Sequence, residues 1–400
     1  MASASAAIDV DAIDEAAPSA APPSRIVRGT GDAAAPLELA SSSDDEAAAE
    51  PAAKRPRVVD TLEALMRSAR GSGRQPPWAA CVCGIGDTSR CRALLKRYGC
   101  VIFRGVATGP ECAELEGLFW DWLEREHPSV DRSRPATHAP HVFEALGYKN
   151  TGVVNTGSIG QSDFLWRART LSRMVEAWRT VWGLSADERL LTSFDGAGVH
   201  RNPCHPVHAG RGVRTDQKWY HLDQSKPDFV GYQGVLTIFP ATGKTGSTVV
   251  CPGSHKDHAE NCARGGKQPR GPFVRLTAPG DAEYCAAKAV QLAPLGTGDM
   301  VVWDSRVVHC SNGAAAGLLP QHVREARSLP PEAPVPSLLR LVCYIAMMPR
   351  SRASARQLEQ RREAVRRGTG SGHDPLKVRA SAPSRHYRAP AGDDPRWQLV

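Results

Sequence analysis

A change of period near residue 190 constrains this chain more than any other feature of its sequence. Before it, apolar residues recur at helical spacing: Cys91, Leu94, Leu95 and Tyr98; then Cys112, Leu115, Phe119 and Trp122; then Leu171, Met174, Val175, Trp178, Val181 and Trp182. Each set forms a stripe along one face of a helix, which must be buried. Gly99, Pro128 and Gly183 follow as stops, and Cys100-Val101-Ile102-Phe103 reads as an early strand. Beyond residue 190 the apolar runs shorten, at 232–239, 248–251, 300–303 and 338–347, and Gly, Pro and Asp separate them. That is the pattern of strands joined by turns. Helices first and strands afterwards predict an α+β domain, an antiparallel barrel or jelly roll with helices packed on one face.

The two ends differ from this middle. Residues 1–50 hold ten acids and two bases among Ala, Ser and Pro, a composition that cannot offset the entropy of ordering, so residues 1–75 are expected to be an acidic disordered region. Residues 76–350 form the expected domain. Residues 351–400, basic and rich in Ala, Pro and Gly, are expected to be a flexible tail. A net charge of +8 thus combines an acidic head with a basic foot. Nucleic-acid binding through that foot ranks last among the functions considered, and a solvated tail is preferred.

No apolar run is long enough to span a bilayer, and no charged-then-apolar leader opens the sequence, so an intracellular protein, cytoplasmic or nuclear, is expected. Lys54-Arg55-Pro56-Arg57 is a weak import signal. Eleven cysteines without a CxxC pair fit free thiols in a reducing compartment. The sequence leaves the oligomeric state open.

Chemistry concentrates at His221, Asp223 and His309. In a strand, His221 and Asp223 point to the same side while Leu222 points away. His309 follows 88 residues later, at the end of its own β run. Two imidazoles and one carboxylate can hold Fe(II) on one face and leave its other positions open, which predicts oxygen chemistry. The rival cluster is Cys204, His205 and His208 with His200 upstream; its irregular spacing and missing second cysteine argue against zinc.

Four stretches together carry a resemblance. They are Tyr98-Gly99-Cys100-Val101-Ile102-Phe103-Arg104-Gly105, His221-Leu222-Asp223, residues 245–255 with Pro252-Gly253-Ser254-His255, and residues 298–309 ending Val307-Val308-His309. In this order they resemble the phytanoyl-CoA dioxygenase-like family of Fe(II)- and 2-oxoglutarate-dependent oxygenases over roughly residues 80–350. The resemblance implies a double-stranded β-helix, iron held by His221, Asp223 and His309, and 2-oxoglutarate and O2 as cosubstrates. It also implies hydroxylation of a small organic substrate, with succinate and carbon dioxide released.

The far carboxylate of 2-oxoglutarate needs a buried cation, and a guanidinium engages both oxygens at once. Arg340, a charge amid the apolar β residues of Leu338-Leu339-Arg340-Leu341-Val342, is the expected partner; Ser311 matches a position that can bond the same carboxylate. Arg340 stands 31 residues beyond His309, further than the family pattern places its basic residue, and Arg324 in between is the alternative. Asp304 and Arg306 read as a structural pair, His255 as a hydrogen-bonded turn residue, and Gln161 as a polar contact at the substrate mouth or part of a helix cap. Related halogenases lack the carboxylate that Asp223 supplies, which favours hydroxylation. A binding or regulatory protein that keeps the fold without turnover is the alternative function.

Overall fold

The helical stripes become helices with the ends their sequences encode. Thr88–Tyr98 starts at Asp87, whose side chain accepts from the Arg90 amide, and stops at Gly99 with φ 75°. A side chain at Gly99 would run into Val307 and His255, so both backbone twist and crowding require glycine. Gly109–Glu126 opens on a reciprocal Thr108–Glu111 capping box, and Ser172–Trp182 ends at left-handed Gly183. Between them Asp163–Thr170 is capped by Ser162, the reading that absorbs the residues around Gln161. The computed structural model describes residues 77–147, 151–208, 217–264, 273–276, 278, 280–379 and 382–400. The acidic region 1–75 and Lys54-Arg55-Pro56-Arg57 lie outside the described residues.

Among the described residues the strands form two large sheets. The first has seven strands in the order β1 (Val82–Cys83), β2 (Cys100–Phe103), β11 (Met300–Asp304), β7 (Tyr232–Thr237), β13 (Leu338–Tyr344), β5 (Ala197–Arg201) and β3 (Val153–Val154). The second has five, in the order β10 (Val290–Gln291), β8 (Thr248–Val250), β12 (His309–Ser311), β6 (Gln217–Leu222) and β9 (Val274–Arg275). A two-stranded ribbon pairs β4 (Leu190–Thr192) with β14 (Met347–Pro349). Apart from the parallel pair β1–β2, neighbours run antiparallel.

Alternation along each strand sorts side chains between two environments. Val101, Phe103, Leu236, Met300, Val302, Leu341 and Cys343 of the larger sheet face outward and pack on Leu115, Phe119, Trp122, Phe164 and Trp178 of the helices. Ile102, Val235, Val301, Trp303 and Val342 face the opposite way and meet Val250 of the smaller sheet. The two sheets therefore lie face to face. The expectation of helices on one face needs correction: Cys285 of the helix Asp281–Lys288 packs with Tyr220, Leu222, Val249 and Cys310 outside the smaller sheet. An exposed apolar face on that sheet, left by its own period of two, is what this helix covers.

The flexible basic tail is also corrected. Ala355–Arg367 is a helix opened by a Ser354–Gln357 capping box and ended at left-handed Gly368. Its Arg361 is fully buried and donates to the carbonyls of Thr192, Pro375 and Leu399. Leu399 and Val400 join the helix-facing core. Burial of one stripe, not overall charge, decides the fate of this segment. No helix among the described residues is long and apolar enough to cross a membrane, and the cysteines are free thiols.

Candidate functional site

The inward faces of the two sheets bring the sequence candidates together. His221 and His309 are opposed across the β6–β12 pair, and Asp223 follows β6 with its amide bonded to the Ser305 carbonyl. The Asp223 Oδ2 lies 3.3 Å from His309 Nε2 and 3.8 Å from His221 Nε2, and the imidazole centroids are 4.2 Å apart. One ligand atom from each residue lies within 4.8 Å of the others, and all three residues are buried. Adjacent ligands about 2.1 Å from one metal sit about 3 Å apart, so the cluster matches a single ion held on one face. His309 Nδ1 lies 3.0 Å from the Val307 carbonyl, a contact that places the proton on Nδ1 and leaves Nε2 its lone pair. Burial alone would raise the Asp223 pKa, but His373, His221 and His309 outweigh it and hold the carboxyl well below the usual range. It is anionic and ready to ligate.

Two residues along β12 from His309, Ser311 points the same way, about 7 Å further on. Its hydroxyl accepts from Arg340 Nη1 at 2.7 Å, and Thr248 Oγ1 accepts from Nη2 at 3.3 Å. Arg340 is 4% exposed, its Nε has no partner, and among the described residues no carboxylate neutralises it. A buried cation bonded only to hydroxyls is poised for an anion. Arg324 stands elsewhere: in the helix Pro320–Ala326 it donates to the Ala333 carbonyl.

Other groups stand on the inward faces, among them His200, which the sequence places only upstream of the rival zinc cluster. Gln233 Nε2 donates to Asp223 Oδ2 at 2.9 Å. Trp303, its register partner on β11, lies 5.0 Å from the His309 ring, tilted 51° to it, with its indole N–H unpaired. His200 is the register partner of Arg340; burial first, and the guanidinium second, push its pKa well below the ordinary histidine value, so the ring is neutral. The Thr237 hydroxyl, on the same side of β7 as Gln233, is likewise unpaired. The signal for all four was strand alternation, available only once the edges of β5, β7 and β11 were fixed.

The remaining candidates resolve as structure. Asp304 and Arg306 form a two-point pair at 2.7 and 2.9 Å, and His255 Nε2 lies 3.2 Å from the Lys96 carbonyl. His205 and His208 ring centroids are 6.0 Å apart, and Cys204 donates to the Leu318 carbonyl, so these residues do not converge as zinc ligands. Gln161 is buried and held within the fold: it accepts from Trp166 Nε1 and donates to the Thr369 carbonyl.

Comparison with known proteins gives one family match and several more distant similarities. The model of the family described as phytanoyl-CoA dioxygenase matches residues 95–315, more than half of the chain. Ava biosynthesis cluster protein O of Aspergillus versicolor is 28% identical over 293 residues, covering 66% of this chain and 79% of that protein. Among solved structures, the epimerase SnoN in complex with Fe3+, alpha ketoglutarate and nogalamycin RO is 15% identical, with a TM-score of 0.40 over 66% of this chain and 84% of its own. EctD from S. alaskensis with bound Fe is 12% identical, with a TM-score of 0.37 over 65% of this chain and 75% of its own.

Proposed function

This chain belongs to the phytanoyl-CoA dioxygenase family, and from that premise we propose that it is an Fe(II)- and 2-oxoglutarate-dependent oxygenase that hydroxylates a small organic substrate. One observation carries the reading: the buried cluster of His221, Asp223 and His309 shares its inward face with a buried Arg340 that has no counter-ion among the described residues. The residues fit both groups. Two imidazoles and an anionic carboxylate suit ferrous iron, and a guanidinium with Ser311 and Thr248 beside it suits the far carboxylate of a five-carbon diacid. When bound, iron with 2-oxoglutarate supplies oxygen activation coupled to decarboxylation, yielding succinate and carbon dioxide.

What the protein adds is position. Gln233 orients Asp223, the Val307 carbonyl fixes the His309 tautomer, and Trp303 walls the His309 side. Arg340, Ser311 and Thr248 would fix one end of the cosubstrate, and neutral His200 beside them adds no competing charge. The facing sheets, with candidate ligands on β6 and β12, support a double-stranded β-helix. The proposed catalytic domain spans residues 76–350 and is completed by the helix Ala355–Arg367.

Hydroxylation is favoured because Asp223 fills the carboxylate position. The test is succinate release from 2-oxoglutarate by the iron-loaded full chain, alone and with a metabolite extract, together with the mass of the product. Gain of one oxygen atom supports hydroxylation. Succinate with an isomeric or ring-closed product would replace it with another outcome of the same site, and no succinate under any condition would return the protein to the non-catalytic alternative.

A further inference from the structure

The outer end of the β4–β14 ribbon sets two arginines against each other. Pro349 pairs with Leu190, and the Arg350 amide donates to the Arg189 carbonyl at 2.8 Å, so the two side chains leave from directly opposed positions. Like charges placed this way across an antiparallel pair destabilise it. Among the described residues neither arginine has an Asp or Glu partner. Arg350 Nη1 donates to the Val400 main-chain oxygen at 2.6 Å, and Arg189 Nη2 to the Gln398 carbonyl at 3.3 Å.

Two more arginines reach the same place from the helix Ala355–Arg367. Arg362 and Arg366, one turn apart, join Arg189 and Arg350 around a cleft of about 480 Å³ that Trp397 and Pro390 also line. No Asp or Glu is among its lining residues. Glu359 and Glu363 pair with Arg362 and Arg366 at 3.1–3.5 Å, but these pairs stand in solvent, where they hold their partners weakly. The walls are fixed without a ligand: buried Arg361 donates to the carbonyls of Thr192 and Leu399, tying ribbon, helix and final turn together, and Trp397 Nε1 donates to the Ala391 carbonyl at 2.6 Å. Walls set in advance lower the ordering cost of binding. Basic residues at a helix C-terminus are favourable in themselves, which accounts for Arg366 but not for the opposed pair on the ribbon.

We propose that this cleft binds the diphosphate group of a small ligand, held between Arg189, Arg350, Arg362 and Arg366. Guanidinium groups take phosphate oxygens two at a time, and four of them around one space suit an anion of more than one charge. The volume is that of a small-molecule site, and Trp397 with Pro390 leaves a less polar side for whatever the diphosphate is attached to. The site is built from the ribbon and the segment after residue 350, so it stands apart from the iron-site reading and does not depend on it.

The test is calorimetric titration of the full chain with pyrophosphate and with ADP, without metal, because diphosphate chelates it. Both should bind saturably, one per chain. Arg189→Gln and Arg362→Gln, each on the surface, should weaken both at least about 10-fold, as loss of a charged hydrogen bond does. Arg367→Gln, exposed on the same helix but outside the cleft, should change nothing. Tighter binding of ADP than of pyrophosphate would make the ligand a nucleotide, and equal binding would make it pyrophosphate itself. Absence of binding, or equal weakening by Arg367→Gln, would overturn the site. So would a single-stranded oligonucleotide that binds these arginines more tightly than ADP, which would make them part of a polyanion surface. His221→Ala should bind both probes as the parent does; loss there would move the anion to the iron site and end this proposal alone.

Discussion

Two buried arginines, one in the helical layer and one between the sheets, are solved in opposite ways. Arg361 donates to three backbone carbonyls and is surrounded by groups that cannot leave. Among the described residues Arg340 reaches only the hydroxyls of Ser311 and Thr248, and the Nε of both arginines is unpaired. Burial lowers the pKa of both, that of Arg361 to about 9. The first is held by carbonyls that the fold itself supplies; the second, on the proposed reading, waits for an anion. Arg169, bonded to the carbonyls of Gly160 and Asp195, belongs with the first kind. A buried cation therefore points to an anion site when its acceptors are side-chain hydroxyls rather than backbone carbonyls, not merely when it is buried or has a spare Nε, which Arg169, Arg340 and Arg361 share.

The largest effect expected is at the ligands: His221→Ala, Asp223→Ala or His309→Ala should abolish succinate release while circular dichroism and the melting temperature stay near those of the parent. Turnover by all three variants would refute the site. Next comes the contrast itself. Arg361→Met strands three carbonyls and should cost about 3 kcal/mol or more in urea unfolding, whereas Arg340→Met without cosubstrate should be neutral or stabilising. Equal losses would erase the distinction between the two arginines. The same Arg340→Met change should raise the 2-oxoglutarate requirement at least about 10-fold, since a buried charge pair loses one partner; an unchanged requirement would redirect attention to Arg324.

Smaller effects sharpen the picture. Gln233→Leu should weaken metal binding about 10-fold by freeing Asp223, measurable by titration with cobalt(II). His208 titrates at the far end of β5, where burial first, then Arg201 and His205, lower its pKa from 6.5 to about 4. Its folded value lies below its unfolded one, so its contribution to stability is full above pH 6.5 and is lost as pH falls towards 4. His208→Phe should flatten the urea midpoint across that window. A parallel pH profile would assign the acid sensitivity elsewhere.

The sequence carried the ligand cluster because a period of two puts His221 and Asp223 on one side whatever the sheet order. It carried Arg340 because a charge inside Leu338-Leu339-Arg340-Leu341 must have a reason. It did not carry the end of the chain, where Leu358, Arg361 and Val365 lie at helical spacing but arginines and glutamates mask the stripe. Arg361 is read as surface until its three carbonyls, from residues as distant as Thr192 and Leu399, are in place. The bond of Gln161 to Thr369, 208 residues away, lies beyond local text for a related reason. Gln233 and His200 needed the register of β7 and β5, which sheet pairing supplies and local text does not.

The excursion between β12 and β13 leaves Ser311, forms the helix Pro320–Ala326 with its own small core of Val323, Val335 and Leu339, and returns at Leu338. Both departure and return are fixed by sheet pairing, so Ser311 and Arg340 meet regardless of what happens in the interval. This makes the excursion a candidate cassette: shortening it, or exchanging it for a loop of different length, is expected to alter the outer surface while leaving the Ser311–Arg340 contact in place.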